Sequence, residues 1–281
     1  MAINTKEIIY SSDISKILND INVIGKNIMP LNWTAISQSV FTSSIDSICY
    51  GDGKFIAGGE SGKMAYSTDG INWTAISQSF TTSSIDSICY GDGKFVASGF
   101  GGKMGYSTDG INWTAISQSV FTSSNELTDY IESVCYGNVK FIAVGGGGKM
   151  AYSIDGITWT AISQSFTTNI IKSICYGDRK FIAVGYGGKM AYSTNGTSWT
   201  AISQSFIMGS TDYIESVCYG NGKFIAGGTG GKMGYSTDGI NWTAISQSFT
   251  SNSIFSICYG DGKFIAVGYG GKMAYCQSGI L

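Results

Sequence analysis

The phrase Trp-Thr-Ala-Ile-Ser-Gln-Ser occurs six times in this chain, starting at Trp33, Trp73, Trp113, Trp159, Trp199 and Trp242. A second phrase, Ile-x-Ser-Ile/Val-Cys-Tyr-Gly, also occurs six times, from Ile45, Ile85, Ile131, Ile171, Ile214 and Ile254. Its cysteines are spaced 40, 46, 40, 43 and 40 residues apart. Such a period constrains the fold strongly, because each unit must bury its apolar face against copies of itself. Each unit holds four short segments rich in Ile, Val, Tyr, Phe, Trp and Thr, residues that favour strands. In order they are ISICYG (A), KFIAVG (B), KMAYS (C) and WTAISQS (D). Asp-Gly pairs and Gly-rich stretches separate them, and no segment sustains a helical apolar period. Four strands in about 40 residues predict an all-β fold, a closed six-bladed β-propeller with four-stranded antiparallel blades. A β-solenoid coil needs only about 20–30 residues.

The sixth unit has strands A to C and then reaches Gly279-Ile280-Leu281 where its Trp phrase is due. Residues 31–39, which carry Trp33, are therefore expected to supply the last blade's fourth strand. That pairing would remove two open sheet edges. The reading is a single domain over 1–281, with 1–30 as an atypical extension or cap. The Trp residues are assigned to packing between neighbouring blades. Each would bury about 150–250 Å², which at about 25 cal/mol per Å² is at most about 4–6 kcal/mol per blade.

Composition narrows the chemistry. There is no His, so Ser-His and Cys-His catalysis and His metal sites are excluded. Seventeen basic and nineteen acidic residues give a net charge of −2, which lacks the dense basic surface nucleic acid requires. Seven Cys are an odd number, and none forms a CxxC pair. The six in the repeated phrase read as small buried thiols, and neither metal nor cofactor is expected. No stretch of 18 apolar residues predicts a membrane span. No signal peptide is visible at the start, so a cytoplasmic, phage-borne or non-classically exported monomer is expected. The Asn-Trp-Thr triplets match a glycosylation acceptor but read as strand-entry residues.

Between C and D the units carry Ser-x-Asp-Gly-x-x-Trp: Ser67, Asp69, Gly70 and Trp73 in one copy, with Asp109, Asp155 and Asp238 in others. This resembles the Asp-box turn of sialidase-like β-propellers, in a variant one residue shorter between Asp and Gly. Asn195 replaces the Asp in the fourth unit. The resemblance covers 31–281 and implies a propeller with structural Asp turns. It also implies what a sialidase would need: three Arg for the substrate carboxylate, with a Tyr/Glu pair and an Asp acid. This chain has one Arg, Arg179, so the catalytic set is missing.

The repeats differ at few places, and those carry the functional expectation. One B–C loop position reads Glu60, Phe100, Gly146, Tyr186, Thr229 and Tyr269 in successive units. The D–A connections before units three and five are longer and bring Tyr130 and Tyr213. If both loops open on one face, Glu60, Phe100, Tyr130, Tyr186, Tyr213, Thr229 and Tyr269 form a ligand-binding surface. Aromatic rings among polar neighbours suit sugars, so a non-enzymatic, lectin-like role is the leading expectation. A protein partner is the first alternative and a divergent glycoside hydrolase the second. Before the Ser of strand A the residue also varies, as Asp46, Asp86, Glu132, Lys172, Glu215 and Phe255. If A strands line the channel, these face water there.

Overall fold

The computed structural model describes residues 36, 40–122, 129–203, 206, 209, 211–246, 249–260 and 262–277. Contacts divide the chain into Met1–Ser37 and Gln38–Leu281, and all the described strands belong to the second unit. The expectations for 1–30 and for the Trp33 strand lie outside the described residues.

The first blade is β1 (Ile45–Gly51), β2 (Lys54–Gly59), β3 (Met64–Ser67) and β4 (Thr74–Ile76), hydrogen-bonded in that order. The same order recurs in β5 (Ile85–Gly91), β6 (Lys94–Gly99), β7 (Met104–Ser107) and β8 (Thr114–Ile116). Blade three is β9 (Ile131–Gly137), β10 (Lys140–Gly145), β11 (Met150–Ser153) and β12 (Thr160–Ala161). Blade four is β13 (Ile171–Gly177), β14 (Lys180–Gly185), β15 (Met190–Ser193) and β16 (Thr200–Ala201). Blade five is β17 (Ile214–Gly220), β18 (Lys223–Gly228), β19 (Met233–Ser236) and β20 (Thr243–Ile245). Blade six shows β21 (Ile254–Gly260), β22 (Lys263–Gly268) and β23 (Lys272–Gln277). Every pairing is antiparallel, and the architecture is a six-bladed β-propeller.

The core lies between blades rather than within them. Val96 and Met104 of blade two pack with Ile131, Val134 and Phe141 of blade three, and Trp159 leans on the same cluster. Trp242 packs likewise with Ile182 and Met190 of the preceding blade and Phe224 of its own. In strand A each residue of the repeated phrase has one job at this joint. The Ile side chains face the preceding blade, as Ile85 and Ile88 do against Ile56 and Met64. Ser47 Oγ accepts the Ile88 N–H of the next blade at 2.9 Å, and Ser87 accepts from Val134 at 3.0 Å. The Tyr90 ring occupies the space a Cβ on Gly51 would need, 2.1 Å from the nearest ring carbon. Tyr136, Tyr176, Tyr219 and Tyr259 do the same to Gly91, Gly137, Gly177 and Gly220.

Strand D is shorter than its phrase. Only two or three residues pair, and the Ser-Gln-Ser part leaves the sheet. The amide of Gln78 explains why. Its Nε2 donates to Gly62 O of the B–C loop at 2.6 Å and to Thr81 O of the D–A loop at 2.8 Å, while Oε1 accepts from the Phe80 N–H. Gln164 repeats this with Gly148 and Thr167. The Phe80 and Thr81 N–H groups are taken up by the Gln78 amide and so are not available to a ladder.

The Asp turns are built as hydrogen-bonded caps. Asp69 Oδ1 accepts from the Ile71 and Asn72 N–H groups at 2.8 Å, and Ser67 Oγ accepts from Gly70 N–H at 2.9 Å. Trp73 Nε1 donates to Gly70 O at 3.3 Å. The Asn72 backbone, then its side chain, hold the Asp69 carboxyl well below the usual carboxylate range. Asn195 takes the same two backbone bonds through its amide oxygen, from Thr197 and Ser198.

One expectation is corrected. Desolvation raises the thiols of Cys89, Cys135 and Cys175, but these cysteines are half-buried rather than buried, and Cys258 is exposed. Cysteines of strand A face the following blade, and nothing described follows blade six. Beside β23 lies a cavity of about 390 Å³ lined by Ile225, Met233, Phe249, Phe264 and Ala266. In blade five the corresponding place is filled by Trp242, against Phe206.

Candidate functional site

The variable B–C residues all sit at one end of their blades, hydrogen-bonded to the entry of strand A. The N–H groups of Glu60, Phe100, Tyr186 and Tyr269 donate to Ser44, Ser84, Ile170 and Ser253 carbonyls at 2.9–3.2 Å. Gly146 and Thr229 donate to Tyr130 and Tyr213. Together with the glutamine bridges, these bonds place the B–C and D–A loops side by side.

The two inserted tyrosines do not stand alone. Tyr130 forms a β-bridge with Phe100 of blade two, and Tyr213 forms one with Tyr186 of blade four. The Tyr186 and Tyr213 rings meet edge to face, with centroids 4.9 Å apart. Thr229 Oγ1 accepts the Tyr213 N–H at 2.9 Å. Five of the seven residues singled out from the sequence thus form two adjoining groups. Glu60 and Tyr269 lie apart from them in short turns at Glu60–Gly62 and Tyr269–Gly271, Tyr269 being 61% exposed.

The inserts are tied down by charge. Asp129, buried, pairs with Lys149 at 2.9 Å, and Asp212 pairs with Lys232 at 3.0 Å. Lys149 and Lys232 belong to the repeated Lys series, so in blades three and five it serves the loop.

Immediately beneath the tyrosines lie the variable positions of strand A. Lys172 Nζ pairs with Glu132 Oε1 at 2.9 Å and stands 5.9 Å from the centre of the Tyr213 ring. Burial lowers the Lys172 ammonium, but Glu132 and Glu215 outweigh it and leave the group raised. Burial also raises Glu215, against the pull of Lys172. Asp86 is pushed up to about 6 by burial and then by the charges of Glu132 and Asp46. Four carboxyls and one ammonium from five successive A strands therefore share one electrostatic environment. Among the described residues no three His, Cys, Asp or Glu side chains are grouped to hold a metal ion. Arg179 lies in an A–B turn, at the other end of the strands, beside a surface cavity of about 720 Å³ with Tyr176 and Lys180.

Sequence reasoning missed the anchoring glutamines and the Tyr-in-Gly joints. Both were visible as invariance across six units, but their partners come from other strands. No helix among the described residues is long and apolar enough to cross a membrane.

No family model matches the chain, and no curated protein matches it. Solved structures define the class as β-propeller. YCF48 from Cyanidioschyzon merolae aligns with a TM-score of 0.61 at 18% identity, over 83% of this chain and 81% of its own. YCF48 bound to D1 peptide aligns with 0.65 at 15% identity, over 84% and 78%. Virginiamycin B lyase from Staphylococcus aureus aligns with 0.63 at 12% identity, over 82% and 93%. At these identities the likeness is one of fold.

Proposed function

We propose that this protein is a non-catalytic binding propeller whose B–C/D–A face takes a peptide segment of a protein partner, with a basic side chain directed into the channel mouth. The observation that carries this reading is the acidic cluster of Asp86, Glu132 and Glu215 set under the Phe100–Tyr130 and Tyr186–Tyr213 pairs. One Lys leaves that cluster short of positive charge, and an entering Lys or Arg would supply it. The tyrosine pairs would grip the segment beside it. A propeller of the same fold, YCF48, is described with a D1 peptide bound, which is consistent with this use of the architecture. The Ser-x-Asp-Gly turns, read as Asp-box variants, belong to the scaffold in this proposal.

The test is a peptide library sorted by charge. Basic peptides should be enriched at pH 7.5 by the native protein. Enrichment should fall at least tenfold in a Glu132→Gln, Glu215→Gln variant of unchanged fold, and in the native protein at pH 5, where Asp86 holds its proton. No charge preference would end the proposal. The glycan reading draws on Phe100 and Tyr269, 46% and 61% exposed. Binding on a glycan array that is lost in Phe100→Ala or Tyr269→Ala would replace the peptide. Hydrolysis of chromogenic glycosides, abolished by Asp86→Asn, would instead make the carboxyl cluster an active site.

A further inference from the structure

Five blade joints are built from the same parts, and the two end faces hold the two unmatched halves of a sixth. On the β1 face Ile48 and Tyr50 are each 60% exposed, while Ile88 at the equivalent place is 7% exposed. On the β21–β23 face Ser256, Cys258, Met273 and Tyr275 are exposed, and no atom lies within 4 Å of where a Cβ on Gly260 would sit. At the joints within the chain that space holds a Tyr ring, and the Ser hydroxyl accepts an N–H from the next blade: Ser216 from Ile257 at 3.0 Å, for example. Among the described residues no such bond links Ser256 to Ile48, and β21 does not pack on β1 as β17 packs on β21.

We infer that the β1 face of one copy docks on the β21–β23 face of a second copy, head to tail, in continuation of the internal joint. Tyr50 enters the space beside Gly260, the Ile48 N–H donates to Ser256 Oγ, and Ile48 covers the apolar surface around Cys258. The occupant is a second copy because each face is the complement of the other, and the chain builds that same interface five times. A contact of this kind is heterologous, so an open series keeps one free face of each type, at its two ends, unless it closes. This departs from the monomer expected from the sequence, and it is independent of the peptide reading, which concerns the loop face.

Sedimentation velocity over a range of protein concentrations tests it, together with alkylation of Cys258. Species larger than a monomer should grow with concentration, and Cys258 should become protected in step with them. Tyr50→Asp and Gly260→Phe should each weaken association by about 30-fold or more, the loss expected of a central anchor. Gly260 has open space around it and no left-handed φ, so its replacement leaves the separate chain folded, as a thermal melt would record. The two variants mixed should form a one-to-one dimer and nothing larger, since each retains one intact face. A monomer at every concentration overturns the inference, whether Cys258 reacts or is protected by closure within the chain. Association untouched by either variant overturns it as well.

Discussion

Asp86→Asn should stabilise the protein at pH 8 and change it little at pH 4. The Asp86 carboxyl is raised from an ordinary value of 3.8 to about 6, by burial first and then by Glu132 and Asp46. Well below pH 3.8 the folded and unfolded chains both carry the proton, and the group has no effect. Between pH 4 and 6 the unfolded chain loses the proton while the folded chain keeps it, so stability falls as pH rises. Above 6 the loss is complete. The full difference corresponds to about 3 kcal/mol. Partial exposure to water screens it, and about 1–2 kcal/mol is the expected gain for the neutral amide. Urea denaturation of both proteins at pH 4 and pH 8, with the difference taken at each pH, isolates this group from all other titrations. An offset that is the same at both pH values would refute the reasoning, as would a variant less stable at pH 8.

The Asp turns make the opposite prediction. Asp155 is lowered to about 2, with backbone N–H groups of Thr158 and Ile157 overcoming the cost of burial, so its contribution is present above pH 4 and fades as pH falls toward 2. Asp155→Ala should cost about 1–2 kcal/mol at pH 7, and Asp155→Asn less, because Asn195 already makes these bonds in blade four; paired melts at pH 7 and pH 3 would measure both. Gly91→Ala should lose about 2–3 kcal/mol or more, since its Cβ would stand 2.1 Å from the Tyr136 ring, whereas Gly260→Ala should melt within about 0.5 kcal/mol of the native chain under conditions where it is monomeric.

The blade was legible in the sequence because its signal is local. Strand residues, Asp-Gly turns and a period near 40 fix four strands per unit without knowledge of any long-range contact, and β1 to β3 fall where the phrases place them. What stayed hidden depends on the neighbouring blade. Tyr90 reads as an ordinary strand residue until Gly51 is found beneath it. Gln78 reads as the end of a strand until its amide is seen holding two loops. The same limit explains the tyrosines. Their loops could be placed on one face from topology, but the pairing of Tyr130 with Phe100 and of Tyr213 with Tyr186 rests on which blade adjoins which. Cys258 escaped its expectation for a related reason: burial at one repeated position depends on a following blade.

The joint also explains why a ligand face is confined to so few positions. In strand A the Ile, Ser, Cys, Tyr and Gly of the phrase are each committed to an adjoining blade, and substitution at any of them disturbs a packed interface. The residue between Ile and Ser takes no part in that apolar packing, and it is there that Asp86, Glu132, Lys172 and Glu215 differ, Lys172 and Glu132 meeting instead as an ion pair. The B–C loops leave one free position in the same way, because glutamine anchors and left-handed glycines fix the rest. Variation is therefore permitted where the scaffold does not need the side chain, and the fold brings the two free positions together at one end of the blades. The inserts before blades three and five add aromatic reach to that place, and Lys149 and Lys232 bind the Asp of each insert. An insertion that merely lengthened a loop would have no need of an ion pair with a buried Asp129. Holding Tyr130 and Tyr213 at fixed positions beside the carboxyls is the effect these contacts have in common, and a pre-formed ligand surface is what such fixing provides.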